Sequence, residues 1–231
     1  MNILITGASR GIGRELVNRF KGNKIYAVAR NIESLKNIEN VKAISLDLSN
    51  LDEVRNYFKN LEVSFDLVIC NAGISLPHAP DFTPFDEFKK TFDINFLSIH
   101  AMLEGIIPKM KKGKIVLISS LASIVASPTS LPYSASKRAI NSYAESLRNL
   151  LGPEIKVINI LPGLIDTDMT RKNNFYMPFF MDLQSGVDRI VYAIENNKKF
   201  YAFPKRFYYL LKLFKLLPID LQDYILQKLV K

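Results

Sequence analysis

The chain has 231 residues, of which 48% are hydrophobic and 23% charged, a composition ordinary for a globular protein with a substantial core. Its single cysteine, Cys70, excludes an intrachain disulfide, and no apolar stretch reaches the roughly 18 to 20 residues of a membrane-spanning helix. The net charge of +9 lies mostly in residues 198–231, which hold eight Lys and Arg against two Asp, so the remaining chain is not basic enough for a general nucleic-acid surface.

A mostly apolar strand, a glycine-rich turn and a helical segment follow one another at the start of the chain. Because the strand at residues 2–6 comes so early, we expect no signal or transit peptide and a cytoplasmic protein. In the turn, Gly7 permits a tight bend, Gly11 lets the backbone approach a pyrophosphate, and Gly13 allows the helix at 11–21 to pack closely. Unpaired amides at a helix start attract anions, so this segment predicts a dinucleotide site.

Apolar runs and helical patterns alternate along the rest of the chain. The predicted strands are residues 2–6, 24–29, 41–46, 67–70, 114–119, 156–161 and 200–203. The predicted helices are residues 11–21, 32–37, 51–59, 84–110 in one or two pieces, 133–151 and 185–196. Buried strands separated by helices predict an α/β fold, a Rossmann-type doubly wound parallel sheet of about seven strands with helices on both faces. We expect one such domain over residues 1–204 and an amphipathic, basic C-terminal tail over 205–231.

Tyr133 and Lys137 are four positions apart, which places them on the same side of the predicted helix, one turn from each other. An ammonium beside a phenol stabilises the phenolate, so we expect the pKa of Tyr133 to be lowered. A tyrosine of that kind can give or take a proton near neutral pH. Taken alone, such a pair is usually a partly buried aromatic ring and a solvated amine.

Together these segments resemble the short-chain dehydrogenase/reductase family. The resemblance covers residues 2 to about 170, and its motifs occur in the family's order and at its usual spacings. Ser120 precedes Tyr133 by 13 positions, the separation that the family's catalytic serine and tyrosine commonly show. The matching motifs are Thr6-Gly7-Ala8-Ser9-Arg10-Gly11-Ile12-Gly13, Asp47-Leu48, Asn71-Ala72-Gly73, Asn95, Ile118-Ser119-Ser120, Tyr133-x3-Lys137, and Pro162-Gly163 with Thr167.

The resemblance implies a role for each of four catalytic residues. Tyr133 would be the general acid in carbonyl reduction and the base in the reverse direction, and Lys137 would lower its pKa and bind the nicotinamide ribose. Ser120 would polarise the substrate carbonyl and stabilise the developing oxyanion. Asn95 would help to hold a water that relays protons toward Lys137. Ser119 competes with Ser120 for its role, and only the spacing to Tyr133 decides between them.

The cofactor follows from the second predicted strand, which ends without the acidic residue that would bind the adenosine ribose of NAD. Arg30 comes next and Arg10 lies in the glycine turn, so two guanidinium groups would neutralise a 2′-phosphate; we expect NADP(H), with NAD(H) as the alternative. By resemblance Asp47 contacts the adenine and Asn71 borders the ribose, although either could be a local turn or capping residue. We expect no metal site. The expected cofactor-binding residues are Gly7, Ser9, Arg10, Gly11, Ile12, Gly13, Arg30, Asp47, Leu48, Asn71, Ala72, Gly73, Tyr133, Lys137, Pro162, Gly163, Ile165 and Thr167.

Two segments depart from the family pattern. Residues 169–183 predict a lid over an apolar substrate, although their side chains could instead pack on the core. In the tail, Phe207 to Leu217 and Ile219 to Val230 form amphipathic patterns. We expect the tail to be buried against protein as a lid or subunit contact, with contact to an anionic membrane surface as the alternative. The apolar lid residues are Met169, Phe175, Tyr176, Met177, Phe179, Phe180 and Met181.

The sequence favours an NADP(H)-dependent oxidoreductase that interconverts a carbonyl and a secondary alcohol on a small or lipophilic substrate. The alternative is a redox-silent dinucleotide-binding sensor, a class that typically lacks the tyrosine or the lysine. An extended-branch epimerase would need a longer region after Gly163, and a serine hydrolase would need a histidine in a triad-like setting, which neither His78 nor His100 has. We expect a homodimer or homotetramer, although the tail puts the usual tetramer in doubt, and no nucleic-acid partner.

Overall fold

The computed structural model describes residues 1–76, 82–172 and 177–230, which form one parallel sheet with helices packed on both faces. Its strands lie in the order β3-β2-β1-β4-β5-β6-β7. The doubly wound fold is therefore confirmed, and each strand end lies within one residue of its predicted position. The strands are β1 (Asn2–Thr6), β2 (Lys24–Ala29), β3 (Val41–Ser45), β4 (Leu67–Cys70), β5 (Gly113–Ile118), β6 (Ile155–Pro162) and β7 (Phe200–Phe203).

Eight α-helices lie in the described part of the chain. The long helical pattern at 84–110 forms two α-helices, which a π turn at Asp93–Leu97 joins and a 3-10 turn at Ile107–Lys109 follows. The predicted helix at 32–37 is wrong: the chain makes only a 3-10 turn at Glu33–Leu35, because one buried apolar side chain gives a longer helix no stripe to bury. The helices are α1 (Gly11–Arg19), α2 (Leu51–Asn60), α3 (Phe85–Phe92), α4 (Ser98–Ile106), α5 (Leu131–Leu151), α6 (Leu183–Glu195), α7 (Lys205–Phe214) and α8 (Ile219–Val230).

Both faces of the sheet are buried, which explains why its strands are almost continuously apolar. In β1, Leu4 packs into the core that includes α2, α4 and α5, whereas Ile3 and Ile5 pack on the opposite face with α1 and α6. Helices α2 and α4 approach closely at Gly105. A Cβ atom there would lie 2.6 Å from the carbonyl carbon of Phe58, so this packing requires glycine.

The direction of winding changes between β3 and β4, so β1 and β4 lie side by side at the centre of the sheet. The helix after β1 packs on one face, and α4, which follows β4, packs on the other. In a doubly wound fold, a crevice opens where such crossovers leave the sheet in opposite directions, outside the carboxyl ends of the strands. The fold therefore places the expected site at the carboxyl ends of β1 and β4.

Helix α7 is buried on one side only. Phe207, Tyr208 and Leu211 pack on a small core formed by Leu121, Leu161 and Ala202. The outer side of α7 is exposed, so within this helix the expectation of burial against protein is confirmed for the inner side alone. No α-helix among the described residues is both long and apolar enough to cross a membrane. The domain boundary at residue 204 stays a prediction.

Candidate active site

A cleft of about 830 Å³ opens at the carboxyl ends of the central strands. It gathers nearly all of the expected site residues, from segments that are distant in the sequence. Only Gly13 and Asn95 of the expected set lie behind its wall. The expected residues that line the cleft are Gly7, Ser9, Arg10, Gly11, Ile12, Arg30, Asp47, Leu48, Asn71, Ala72, Gly73, Ser120, Tyr133, Lys137, Pro162, Gly163, Ile165 and Thr167.

The glycine turn is held against the end of β4 by Thr6 and Asn71. The Thr6 hydroxyl accepts hydrogen bonds from the backbone amides of Asn71 and Ala72 at 3.1 and 3.0 Å, and the Asn71 side chain donates to the Thr6 carbonyl at 3.0 Å. Asn71 thus links two segments that are distant in the sequence and is not a local turn residue. A Cβ atom at Gly13 would lie 2.1 Å from the Gly7 carbonyl oxygen, so Gly13 has the packing role expected for the third glycine.

Helix α1 begins at the floor of the cleft with its first amides uncapped. Arg10 occupies the N-cap position, and its side chain makes no capping hydrogen bond. The amide N–H groups of the first turn therefore have no side-chain acceptor, and the helix dipole adds positive potential at the same place. Gly11 follows at a φ of +53° and lines the cleft. A phosphate group fits this arrangement.

Arg30 and Asp47 lie at the end of the cleft formed by β2 and β3, and Arg10 lies at the start of α1. Arg10 and Arg30 are both exposed, and Arg10 forms a long ion pair of 3.8 Å with the exposed Asp168, which follows β6. Asp47 accepts hydrogen bonds from the backbone amide and hydroxyl of Ser49 at 2.9 and 2.8 Å, which is the geometry of a turn aspartate. The hydrogen bond from the Ser49 amide is the main cause that lowers the pKa of Asp47, and the charge of Arg30 contributes.

The adjacent serines at the end of β5 have different surroundings. The Ser119 hydroxyl is buried and donates to the Lys137 carbonyl at 2.9 Å, so it ties the strand to α5. The Ser120 hydroxyl accepts from the Ala122 amide at 3.1 Å and hydrogen-bonds with the phenol of Tyr133. Of the two serines, Ser120 is therefore the one beside Tyr133, and its catalytic role stays a prediction.

The prediction that the Tyr133 pKa is lowered is wrong. Burial raises the pKa of Tyr133, and the hydrogen bond with Ser120 opposes this shift without overcoming it. The Lys137 ammonium lies 5.7 Å from the centre of the Tyr133 ring and donates to the Ile118 carbonyl at 2.8 Å. Burial lowers the pKa of Lys137 to about 8, so its ammonium is the main form at neutral pH.

Asn95 lies on the π turn between α3 and α4 and is fully buried. Its side-chain oxygen accepts from the Ile74 amide at 2.8 Å, and its amide group donates to the Ile74 carbonyl and to Ser136 Oγ, each at 3.0 Å. The Ser136 hydroxyl in turn donates to the Tyr133 carbonyl at 2.8 Å. Asn95 thus connects Ile74, the cleft residue that follows Gly73, to the turn of α5 that carries Tyr133. Its expected role in holding a water stays a prediction.

Several cleft residues were not expected from the sequence. The Thr170 hydroxyl donates to the Ile165 carbonyl at 2.6 Å and accepts from the Thr167 amide at 3.0 Å, so it shapes the turn that carries Thr167. A hydroxyl three residues after Thr167 could have indicated this turn. The Ser34 hydroxyl donates to the Ser9 carbonyl at 3.1 Å, a contact without a sequence signal. Others are Val28, Ala29, Asn31, Glu33, Leu46, Ile74, Ile94, Ile118, Asp168 and Met169, the last of them an expected lid residue.

The expected lid is divided between the cleft and α7. Met181 pairs with the backbone after β6, since its amide donates to the Leu164 carbonyl at 3.0 Å and its carbonyl accepts from the Asp166 amide at 2.8 Å. The ring of Phe179 stacks on Phe207 of α7 with 5.5 Å between centres. Packing on protein, the alternative to a lid, therefore holds for that ring. The expected lid residues Phe175 and Tyr176 lie outside the described residues.

Comparison with known proteins matches most of the chain. A family model described as short chain dehydrogenase matches residues 1–176. An uncharacterized oxidoreductase of Myxococcus xanthus is 30% identical over 237 residues, which cover 95% of this chain and 94% of that protein. The match extends beyond the motifs of the glycine turn and the cleft to nearly the whole length of both chains.

Two similar solved structures contain nicotinamide dinucleotides. A 4-hydroxyisoleucine dehydrogenase complexed with NADH is 27% identical, with a TM-score of 0.77 over 87% of this chain and 96% of that one. A short chain dehydrogenase from Burkholderia cenocepacia in complex with NADP is also 27% identical, with a TM-score of 0.76 over 87% of this chain and 86% of that one. Proteins of this fold and similarity therefore bind either dinucleotide.

Proposed function

This chain belongs to the short-chain dehydrogenase family of oxidoreductases, and on that premise we propose that it is an NADP(H)-dependent enzyme that interconverts a carbonyl and a secondary alcohol. The observation that carries the proposal is the meeting of Ser120, Tyr133 and Lys137 in the cleft whose floor is the glycine turn. A sensor that only binds a dinucleotide has no need for this complete set.

The residues of the cleft fit a nicotinamide dinucleotide. The uncapped amides of α1 and the glycine turn would hold the pyrophosphate, and Asn71 to Gly73 would border the adenosine ribose. At the other end, Lys137 and the segment from Pro162 to Thr167 would hold the nicotinamide half. The dinucleotide supplies the hydride, so the chain's own task is to place the substrate and move the proton.

Tyr133 is suited to donate that proton. Because burial raises its pKa, the phenol stays protonated at neutral pH, which favours its use as an acid in carbonyl reduction. The Ser120 hydroxyl beside it would donate to the oxygen on which negative charge develops. The buried ammonium of Lys137 lies 5.7 Å from the centre of the Tyr133 ring and would bind the nicotinamide ribose.

Arg10 and Arg30 support NADP(H) over NAD(H). Both arginines line the cleft, and both are exposed to a ligand there. No carboxylate takes the position directly after β2, where Arg30 itself stands. Glu33, which also lines the cleft, forms an ion pair with Lys36. A 2′-phosphate would thus meet two cations with bidentate geometry available to each.

The substrate end of the cleft supports an apolar or lipophilic substrate. Met169 lines the cleft, and Leu121 directly after Ser120 belongs to the small core under α7. Side chains of this kind bind hydrocarbon better than they bind a sugar, whose hydroxyl groups need hydrogen-bonding partners.

The test is a panel of apolar and polar aldehydes and ketones, assayed by the absorbance of reduced nicotinamide with NADPH or NADH. We expect turnover of apolar ketones with NADPH, and a loss of at least ~10²-fold in Tyr133→Phe, because that variant lacks the positioned acid. NADPH affinity, measured by calorimetry, should change little. Unchanged turnover in Tyr133→Phe would remove Tyr133 from the mechanism, and tight NADPH binding without any turnover would favour the sensor.

A further inference from the structure

The outer side of α7 carries apolar side chains that the described part of the chain leaves uncovered. Tyr209, Leu210, Leu213 and Leu216 are 60%, 53%, 63% and 80% exposed. Tyr209, Leu210 and Leu213 lie on one side of α7, opposite the side that packs on the core, and Leu216 follows in the turn just after the helix. We call these four residues the outer face of α7.

The sequence of α7 itself contains cations and no acidic residue. Lys205, Arg206 and Lys212 are exposed on α7, among or beside the outer face. Between Glu195 and Asp220 the sequence contains no Asp or Glu. A surface that combines exposed leucine and tyrosine with lysine and arginine, and lacks carboxylates, matches the chemistry of a bilayer interface with anionic lipids.

A second copy of this chain fits the face less well. A twofold contact brings the same patch of each copy together, so the three cations of one copy would meet the three of the other. Helix α7 contains no carboxylate, so it offers nothing of its own to neutralise them. Like charges at a desolvated contact oppose association, whereas lipid phosphates would pair with them.

We propose that the outer face of α7 docks the protein on an anionic lipid bilayer. The ten residues of α7 span about 15 Å, so the helix lies flat in the interface and does not cross the membrane. Tyr209, Leu210 and Leu213 enter the boundary between headgroups and acyl chains, while the flanking cations contact lipid phosphates.

The docked position concerns the cleft directly. The inner side of α7 packs on Leu121, the residue after Ser120, and Phe207 stacks on Phe179 of the lid segment. Docking would therefore hold the substrate side of the cleft at the lipid surface, which suits a carbonyl dissolved in lipid. This role for a lipid-dissolved substrate rests on the proposed function, whereas the docking itself does not.

The experiment is co-sedimentation of the full chain with vesicles of phosphatidylcholine alone or with about one third phosphatidylserine. We expect binding to the anionic vesicles only, with steep loss at high salt. Lys205→Gln/Arg206→Gln/Lys212→Gln should weaken binding by roughly 100-fold, since each basic residue at the surface contributes about a factor of five. Leu210→Gln/Leu213→Gln/Leu216→Gln should weaken it by at least ~10-fold. Leu150→Gln, at a leucine 78% exposed on α5, is the matched control and should bind as wild type does.

Equal binding to neutral and anionic vesicles, or no binding to either, would overturn the proposal. So would an unchanged affinity in both triple variants. If the protein does not bind vesicles and the leucine variant converts a dimer into a monomer, the outer face of α7 is a subunit contact instead. Melting temperatures monitor folding, and the charge variant keeps the test decisive if the leucine variant unfolds. No readout needs the dinucleotide or activity, so failure here is distinct from failure of the proposed function.

Discussion

The serines at 119 and 120 show how one step along an extended backbone changes the surroundings of a hydroxyl. Both residues follow β5, and the backbone stays extended there, since the Ser119 amide donates to the Ile160 carbonyl of β6 and Ser120 has a φ of −164°. Successive side chains of an extended backbone point to opposite sides, so Ser119 is directed toward the backbone of α5 and Ser120 toward Tyr133. We therefore infer that the sheet and the turn after it together set the position of the Ser120 hydroxyl.

The two arginines of the cleft can be tested for contact with a 2′-phosphate. Replacing Arg10 and Arg30 together with Ala should weaken NADPH binding far more than NADH binding. Each charge-assisted phosphate contact is worth roughly 1.5–3 kcal/mol, so the preference should shrink by ~10-fold or more. Calorimetric titration of both dinucleotides measures it, with Arg189→Ala, at an exposed arginine of α6, as the control. Equal losses for both dinucleotides would refute the 2′-phosphate contact.

Residue positions in the cleft were more predictable than residue environments. Gly7 and Gly11 follow from their spacing, because turn geometry and helix dipoles act over a few residues, whereas Ser120 follows from the family's usual separation from Tyr133. The pKa of Tyr133 was predicted in the wrong direction because burial depends on the packing of the whole fold around the phenol. The contacts of Asn95 with Ile74 and Ser136 likewise join segments whose proximity no local pattern encodes.

At the scale of elements, the π turn between α3 and α4 explains how Asn95 reaches its partners. A wider turn rotates the side chain relative to a regular α-helix, and such turns often occur at functional sites. The sequence predicted a helical stretch in one or two pieces but no π turn, because helical periodicity differs little across a single wide turn. The strands were predicted more closely, since buried β-branched runs between polar turns have clear ends.

Helix α7 should contribute to the stability of the fold, which truncation can test. Truncation after Phe203 should uncover Leu121 and Leu161, which are 2% and 0% exposed in the full chain. Exposing much of two leucines costs about 3 kcal/mol, which lowers the melting temperature of a chain this size by at least ~5 °C. Differential scanning calorimetry of full and truncated chains measures the change. An unchanged melting temperature would mean that the inner side of α7 adds no stability.

For the whole molecule, Lys137 predicts how stability depends on pH. Its pKa is about 8 in the fold against 10.5 for a solvated lysine, so from pH 8 to 10.5 the unfolded chain binds more protons and stability rises with pH. Below pH 8 the cost of the buried charge is fully present. Cys70 acts oppositely above pH 9, because burial raises its pKa from 9.0 to about 12.

The contribution of Lys137 is therefore best measured between pH 8 and pH 9, below the range in which Cys70 opposes it. Urea unfolding should show that the free energy of unfolding rises by about 1 kcal/mol across it. Lys137→Met should be stable to a similar degree at both values, whereas Lys112→Met, at an exposed lysine, should keep the wild-type rise. A rise that persists in Lys137→Met would assign the titration to another group.

In the sheet, β1 lies between β2 and β4. During synthesis on the ribosome, however, β1 and β2 are completed well before β4. The end of β4 follows the end of β1 by 64 residues, an interval of several seconds at about 5–20 residues per second. Throughout it, the edge of β1 that later pairs with Leu67 to Ile69 presents unpaired N–H and C=O groups. Slow translation between residues 30 and 66 would thus prolong the period in which nascent chains can pair with one another, and coexpressed chaperones should raise the yield most under that condition.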